Sequence, residues 1–102
     1  MIPSLANAVP QVARLCEQHG VRKLAAFGSA VNGRFEPETS DFDFVVSFRD
    51  TASHGYANRY LDFAEALERL LGRKVDLVTE RSVRRPSFRR SIEAEHEIIY
   101  EN

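Results

Sequence analysis

The chain has 102 residues, of which 28% are charged and 43% hydrophobic, and its net charge at pH 7 is −1. This length fits a single domain over residues 1–102, and the weak net charge gives no overall reason to expect binding to nucleic acid or to an anionic membrane. No signal sequence is visible, and no apolar run approaches the ~20 residues of a membrane span. The single cysteine, Cys16, cannot form an internal disulfide. We therefore expect a cytoplasmic protein.

The first predicted element is a helix. Apolar residues recur at helical spacing from Leu5 to Cys16, and Gly20 is a plausible C-terminal stop. Pro10 leaves two starts open, because the helix can begin near Ser4 and kink, or begin at Pro10 in its first turn.

Beyond this helix, short apolar runs bounded by turn residues predict strands, and one long apolar stripe predicts a second helix. In chain order we predict a strand at 21–27, a turn or single helical turn at 29–33, a loop at 34–40, a strand at 43–48, a loop at 49–55, a helix at 56–71, a strand at 74–79, a helix at 82–94 interrupted near Pro86, and a strand at 98–100. The continuous apolar run at 43–48 predicts a strand covered on both faces. This alternation predicts an α/β or α+β sandwich, in which helices pack on a small mixed β-sheet.

Three aspartates stand on or beside the second and third predicted strands. Asp41 and Asp43, at i and i+2, point to the same face and lie roughly 6.6 Å apart along a strand. Carboxylates held this close repel each other unless a cation lies between them, and hard oxygen ligands suit Mg²⁺ or Mn²⁺. Asp76 interrupts an otherwise apolar strand, where burial of a lone carboxylate is costly unless it is paired or bound to metal. If its strand lies beside that of Asp43, the three acids are enough for a two-metal site.

Each of these residues also has a purely structural interpretation. Asp41 can be a turn or capping residue, and Asp43 or Asp76 can pair with an arginine. The small turn Gly28-Ser29 can bring backbone N–H groups to a phosphate, while Ser29 can also serve as a helix N-cap. Taken together, a phosphate cradle and metal-binding carboxylates indicate nucleotide chemistry.

The order of these residues resembles one known family. Gly28 and Ser29, a loop, Asp41 and Asp43, and then Asp76 on a later strand are similar to the pattern of the minimal nucleotidyltransferases, the MNT family of the DNA polymerase β-like nucleotidyltransferase superfamily. The resemblance extends over nearly the whole chain. It implies the polymerase β-like nucleotidyltransferase fold.

The resemblance also implies a role for each residue of the pattern. Asp41 and Asp43 would bind two Mg²⁺ ions, and Asp76 would bind the catalytic one and help to deprotonate the acceptor hydroxyl. Gly28 and Ser29 would hold the phosphates of ATP. The three aspartates are therefore the predicted catalytic and metal-binding residues.

Known members of the MNT family are antitoxins that transfer AMP from ATP to a tyrosine of a HEPN-domain RNase toxin. The resemblance implies the same reaction and the same kind of partner here. Larger members of the superfamily carry a further domain that binds the acceptor, and 102 residues leave no room for one, so we expect a second chain to supply it. Two alternatives stay open, namely transfer to a small-molecule hydroxyl and neutralisation of the toxin by binding alone.

The segment 81–90 contains five arginines and no acidic residue. Arginine forks bind phosphates and carboxylates bidentately, and this segment directly follows the strand of Asp76. Arg85 is therefore a further candidate for binding ATP. A solvated helix face and contact with an acidic partner are the alternatives, whereas direct binding to nucleic acid is not expected.

The remaining reactive side chains receive structural interpretations. The histidines His19, His54 and His96 share no metal-ligand spacing, and we expect them to be exposed or, for His19, to cap a helix. Cys16 lies on the apolar stripe of the first helix and is expected to be a buried thiol. Tyr60 is expected to pack in the core or against a partner.

Overall fold

The computed structural model describes residues 1–36, 38–50 and 55–102, and in these ranges it has four α-helices and four strands. In chain order they are α1 (Pro3–Gln18), β1 (Val21–Phe27), α2 (Ser29–Asn32), β2 (Phe42–Phe48), α3 (Tyr56–Leu71), β3 (Val75–Thr79), α4 (Pro86–Ala94) and β4 (His96–Glu101). A short 3-10 helix, Glu80–Ser82, lies between β3 and α4. His54 and most of the predicted loop at 49–55 fall outside the described residues.

The strands form a mixed sheet in the order β3-β2-β1-β4. β1 is antiparallel to both of its neighbours, whereas β2 and β3 are parallel and are connected through α3. Helices packed on a small mixed sheet confirm the predicted α+β fold class.

The core lies between one face of this sheet and the helices α1 and α3. Leu24 of β1 and Phe44 of β2 are fully buried there, and the ring of Phe48 meets that of Phe63 from α3 with centroids 5.9 Å apart. Cys16 is buried in the same core, which confirms its structural interpretation. Burial raises the pKa of this thiol to about 12, so it stays protonated and unreactive at neutral pH.

The opposite face of the sheet, called the open face below, is only partly covered. Burial alternates along β2, where Phe42, Phe44, Val46 and Phe48 are buried and Asp43, Val45 and Ser47 are half-buried. The prediction that this strand is covered on both faces is therefore wrong. The reason is that α1 and α3 cover one face completely, while α4 lies over only part of the other.

Proline and glycine set several boundaries of the helices. α1 begins at Pro3 and includes Pro10, so the earlier of the two predicted starts is the observed one. Gly72 adopts a left-handed conformation and ends α3 as predicted. α4 begins at Pro86 rather than at residue 82, since a proline fits the first turn, where the missing N–H would have no helical acceptor.

Among the described residues, none of the helices combines the length and the apolar character that a membrane span requires.

Candidate active site

Two of the predicted acids face each other on neighbouring strands. In the parallel pairing of β2 with β3, Asp43 is in register with Asp76. Neighbouring strands lie about 4.8 Å apart, so carboxylates at paired positions on one face are close together. Asp41 stands two residues before Asp43, where an extended chain returns to the same side. The fold therefore brings the three aspartates together at one end of the open face.

The electrostatics of Asp43 reflect this arrangement. Burial, with further contributions from the charges of Asp76 and Asp41, raises the pKa of Asp43 to about 6. No residue in the described part of the chain forms an ion pair with any of the three carboxylates. The predicted alternative, in which Asp43 or Asp76 pairs with an arginine, is therefore not observed. The repulsion among these acids is left uncompensated.

Asp76 is exposed, and here the expectation of a buried carboxylate is wrong. β3 is an edge strand, and the side that carries Asp76 lies at the uncovered end of the open face. Behind it, Tyr60 of α3 donates a hydrogen bond from its hydroxyl to the carbonyl oxygen of Leu77. Burial, and then the charge of Asp76, raise the pKa of Tyr60. Tyr60 packs against the core as predicted, but helical spacing gave no sign of its position next to the acids.

Gly28 leaves open the space that the carboxyl group of Asp43 occupies. Its φ is 73°, and a Cβ at this position would overlap Oδ2 of Asp43. The carbonyl of Gly28 accepts the N–H groups of Val31 and Asn32, each at 3.0 Å, and α2 starts at Ser29. Gly28 is thus the N-cap, a role that the sequence suggested for Ser29. The hydroxyl of Ser29 has no hydrogen-bond partner among the described residues.

The donor set suits a hard divalent cation but does not enclose one. All three aspartates offer carboxylate oxygens, which are the ligands that Mg²⁺ prefers. Within the described residues, no group of three or more Asp, Glu, His or Cys side chains is arranged so that it could hold an ion by itself. Mg²⁺ is commonly held by one or two carboxylates together with substrate phosphates and water, so this open arrangement fits an ion that binds with a nucleotide.

A basic groove lies at the start of α4, next to these acids. Phe27 pairs with Asp43 across β1 and β2, and Phe88 of α4 packs edge-on against Phe27, with ring centroids 5.9 Å apart. The basic groove is lined by Ser82, Arg84, Arg85, Ser87, Phe88 and Ser91. The side chains of Arg84 and Arg85 form no ion pair or hydrogen bond to the rest of the described chain, so both guanidinium groups are available for a ligand.

The two described histidines each contact a backbone carbonyl group. Nδ1 of His19 lies 2.8 Å from the carbonyl oxygen of Leu15 at the end of α1, which confirms the capping role. Nδ1 of His96 lies 3.0 Å from the carbonyl oxygen of Glu93.

Carboxylates in register on a mixed sheet, next to a Gly-Ser turn, define the class of protein. Residues 11–99 match the family model described as "Nucleotidyltransferase domain". The chain therefore belongs to the nucleotidyltransferase domain family and is an enzyme of that class.

Individual relatives narrow the group to the minimal nucleotidyltransferases, which confirms the resemblance noted above. "Protein adenylyltransferase MntA" of Thermococcus cleftensis is 40% identical over 70 residues, covering 69% of this chain and 67% of the relative. A solved structure described as a "putative minimal nucleotidyltransferase" is 32% identical and has a TM-score of 0.75, covering 91% of this chain and 90% of its own. The complex of a tri-AMPylated HEPN toxin with its MNT antitoxin from Shewanella oneidensis has a TM-score of 0.65 at 19% identity. The match covers 95% of this chain and 72% of that chain and shows a shared fold.

Proposed function

We propose that this chain is an antitoxin that transfers AMP from ATP, in the presence of Mg²⁺, to a tyrosine hydroxyl of a HEPN-domain toxin. The observation that carries this function is the register of Asp43 with Asp76 beside the turn at Gly28 and Ser29. Two similarities support it. One relative is named a protein adenylyltransferase, and the solved MNT antitoxin with the same fold is bound to an AMPylated HEPN toxin.

The triphosphate of ATP would lie against the turn between β1 and α2. The first N–H groups of a helix have no carbonyl partner within it, and the hydroxyl of Ser29 has no partner in the described part of the chain. These groups would donate hydrogen bonds to phosphate oxygens. Arg85, at the N-cap of α4 in the basic groove, would add a positive charge on the phosphates.

Asp41, Asp43 and Asp76 would hold the metal, which supplies positive charge to the triphosphate and lowers the pKa of the acceptor hydroxyl. Asp43 serves as a ligand in its ionised form, which predominates at pH 7 because its pKa is about 6. Asp76 is exposed, so it is accessible to a tyrosine presented by another chain and would accept the proton of its hydroxyl. The tyrosine oxygen then bonds to the α-phosphorus, the bond between this phosphorus and the α–β bridging oxygen breaks, and pyrophosphate leaves.

The test is the intact mass of a HEPN-domain toxin, the proposed partner, measured after incubation with this chain, ATP and Mg²⁺. We expect a mass increase by whole AMP units, which is absent with the Asp41→Asn, Asp43→Asn double variant. Asp62→Asn, an exposed acid on α3, is the matched control and should leave the transfer intact. Transfer by the double variant would show that these acids are not the catalytic residues. A stable complex without any mass increase would favour neutralisation by binding alone.

A further inference from the structure

A second cavity, of about 190 Å³, lies between the open face of the sheet and the segment that contains α4. Ala25 of β1 and Val45 of β2 are paired neighbours and form its apolar floor. Val83 and Ile92, from the segment that contains α4, add apolar surface on the opposite side. Pockets for whole drug-sized ligands measure about 300–1,000 Å³, so this smaller space suits one part of a ligand, such as a flat ring system.

Polar groups of both kinds surround these apolar residues. Lys23 and Ser47 can donate hydrogen bonds, and Glu93 can accept them. Neither Lys23 nor Glu93 has an ion pair or a hydrogen bond from its side chain within the described ranges. Apolar walls with unused donors and acceptors at the edge suit a heterocycle that carries donors and acceptors on its own edge, as a nucleobase does.

The position of the cavity relates it to the proposed phosphate site. Val45 follows Asp43 by two residues on the same strand and face, so the floor begins roughly 6.6 Å along the sheet from the aspartates. Along β1, Ala25 is paired with Val45 and Phe27 with Asp43, and Gly28 follows the end of the strand. The proposed phosphate-binding turn therefore lies on the far side of Asp43 from the cavity. A nucleotide laid along the open face with its α-phosphate at the aspartates would direct its ribose and base toward Ala25 and Val45.

We propose that this cavity receives the nucleobase of the nucleotide substrate. This inference rests on the proposed nucleotide transfer and adds where the base binds and which residues contact it. Val45 and Ala25 contact the ring, and Lys23, Ser47 and Glu93 face its polar edge. Base recognition is thus separate from the basic groove, although both lie beside the same aspartates.

The test compares the equilibrium affinities of the full chain for ATP and for tripolyphosphate, each in Mg²⁺, by calorimetry. Val45→Phe fills the cavity with a larger ring, and Leu61→Phe is the matched control, because Leu61 is an exposed apolar residue of α3 outside the cavity lining. We expect the unmodified chain and the control to bind ATP at least about tenfold more tightly than tripolyphosphate, which is the contribution of one well-packed base. Val45→Phe should abolish this difference and leave the affinity for tripolyphosphate unchanged.

Retention of the full ATP preference by a folded Val45→Phe variant would overturn the inference. A measurement on the unmodified chain covers the case in which this variant does not fold. Backbone amide shifts that appear with ATP but not with tripolyphosphate should fall at Ala25, Val45, Ser47 and Glu93, and shifts confined to the region of Phe88 would instead place the base in the basic groove. If neither compound binds the unmodified chain, the proposed function fails, and this inference fails with it.

Discussion

The carboxyl group of Asp43 occupies the space into which a side chain at Gly28 would project. The two residues belong to different parts of the proposed site, since Gly28 caps the turn for the phosphates and Asp43 stands on the acid-bearing strand. Gly28 directly follows Phe27, and the pairing of Phe27 with Asp43 in the sheet fixes the distance between Gly28 and Asp43. The turn and the acid therefore cannot shift independently, and glycine meets two requirements at once, a positive φ and the absence of a Cβ.

Substitution of Gly28 separates these two requirements when it is compared with Gly33. Both glycines have a positive φ, of 73° and 83°, but a Cβ at Gly33 meets nothing within 4 Å. Gly28→Ala and Gly33→Ala should each lower the free energy of unfolding by about 1 kcal/mol or more, because alanine is strained at positive φ. Only Gly28→Ala also displaces Asp43, so we expect it to reduce AMP transfer by about 100-fold, while Gly33→Ala stays within a few-fold.

The measurements are urea denaturation and the initial rate of transfer to the toxin. Equal loss of transfer in both variants would show that backbone strain, and not contact with Asp43, explains the effect.

The raised pKa of Asp43 predicts a specific dependence of stability on pH in the absence of divalent cations. The folded state holds this proton up to about pH 6, whereas the unfolded chain releases it near the ordinary value of about 3.9. Between these values the folded state binds more protons than the unfolded chain, so the free energy of unfolding should fall as the pH rises from about 4 to about 6. Above about pH 6 the titration of Asp43 should cause no further change. Asp43→Asn removes this decline and should be more stable than the unmodified chain at pH 7.

Urea denaturation in EDTA at several pH values between 4 and 7 measures this effect. Asp62→Asn is exposed and should keep the pH dependence of the unmodified chain. An unchanged slope in Asp43→Asn would mean that Asp43 is not the group that titrates.

Local patterns predicted the elements and the neighbouring acids well, but not which surfaces are covered. The strand at Val21–Phe27 and the helix at Tyr56–Leu71 match their predicted bounds, because Gly28 and Gly72 stop them sharply. The exposure of Asp76 could not be predicted, since periodicity gives the face of a strand but not the extent of the helix that lies over it. The cavity above Val45 is likewise formed by segments far apart in sequence, and no spacing rule connects them.

The hydrogen bond from Tyr60 to the carbonyl of Leu77 connects α3 to β3, one residue beyond Asp76. Tyr60→Phe removes this bond and leaves a half-buried carbonyl without its partner, so the free energy of unfolding should fall by about 1 kcal/mol. Tyr56→Phe is the matched control: Tyr56 packs its ring against Phe48, and its hydroxyl has no hydrogen bond in the described ranges. Thermal or urea denaturation distinguishes the two, and similar stabilities for both variants would show that the Tyr60 hydrogen bond contributes nothing measurable.

The guanidinium group of Arg85 has no protein partner in the described part of the chain, and its proposed ligand is the triphosphate of ATP. Arg85→Met keeps much of the side-chain stem and removes the charge, so the affinity for ATP should fall by about 10-fold to 100-fold, the range for a charge-assisted hydrogen bond. The remaining affinity should also depend less on salt. Arg90→Met is the control on the same helix, because Nε of Arg90 donates to the carbonyl oxygen of Pro86 at 3.3 Å and the residue does not line the groove. If Arg85→Met leaves ATP binding unchanged but weakens the complex with the toxin, Arg85 contacts an acidic surface of the partner and not the nucleotide.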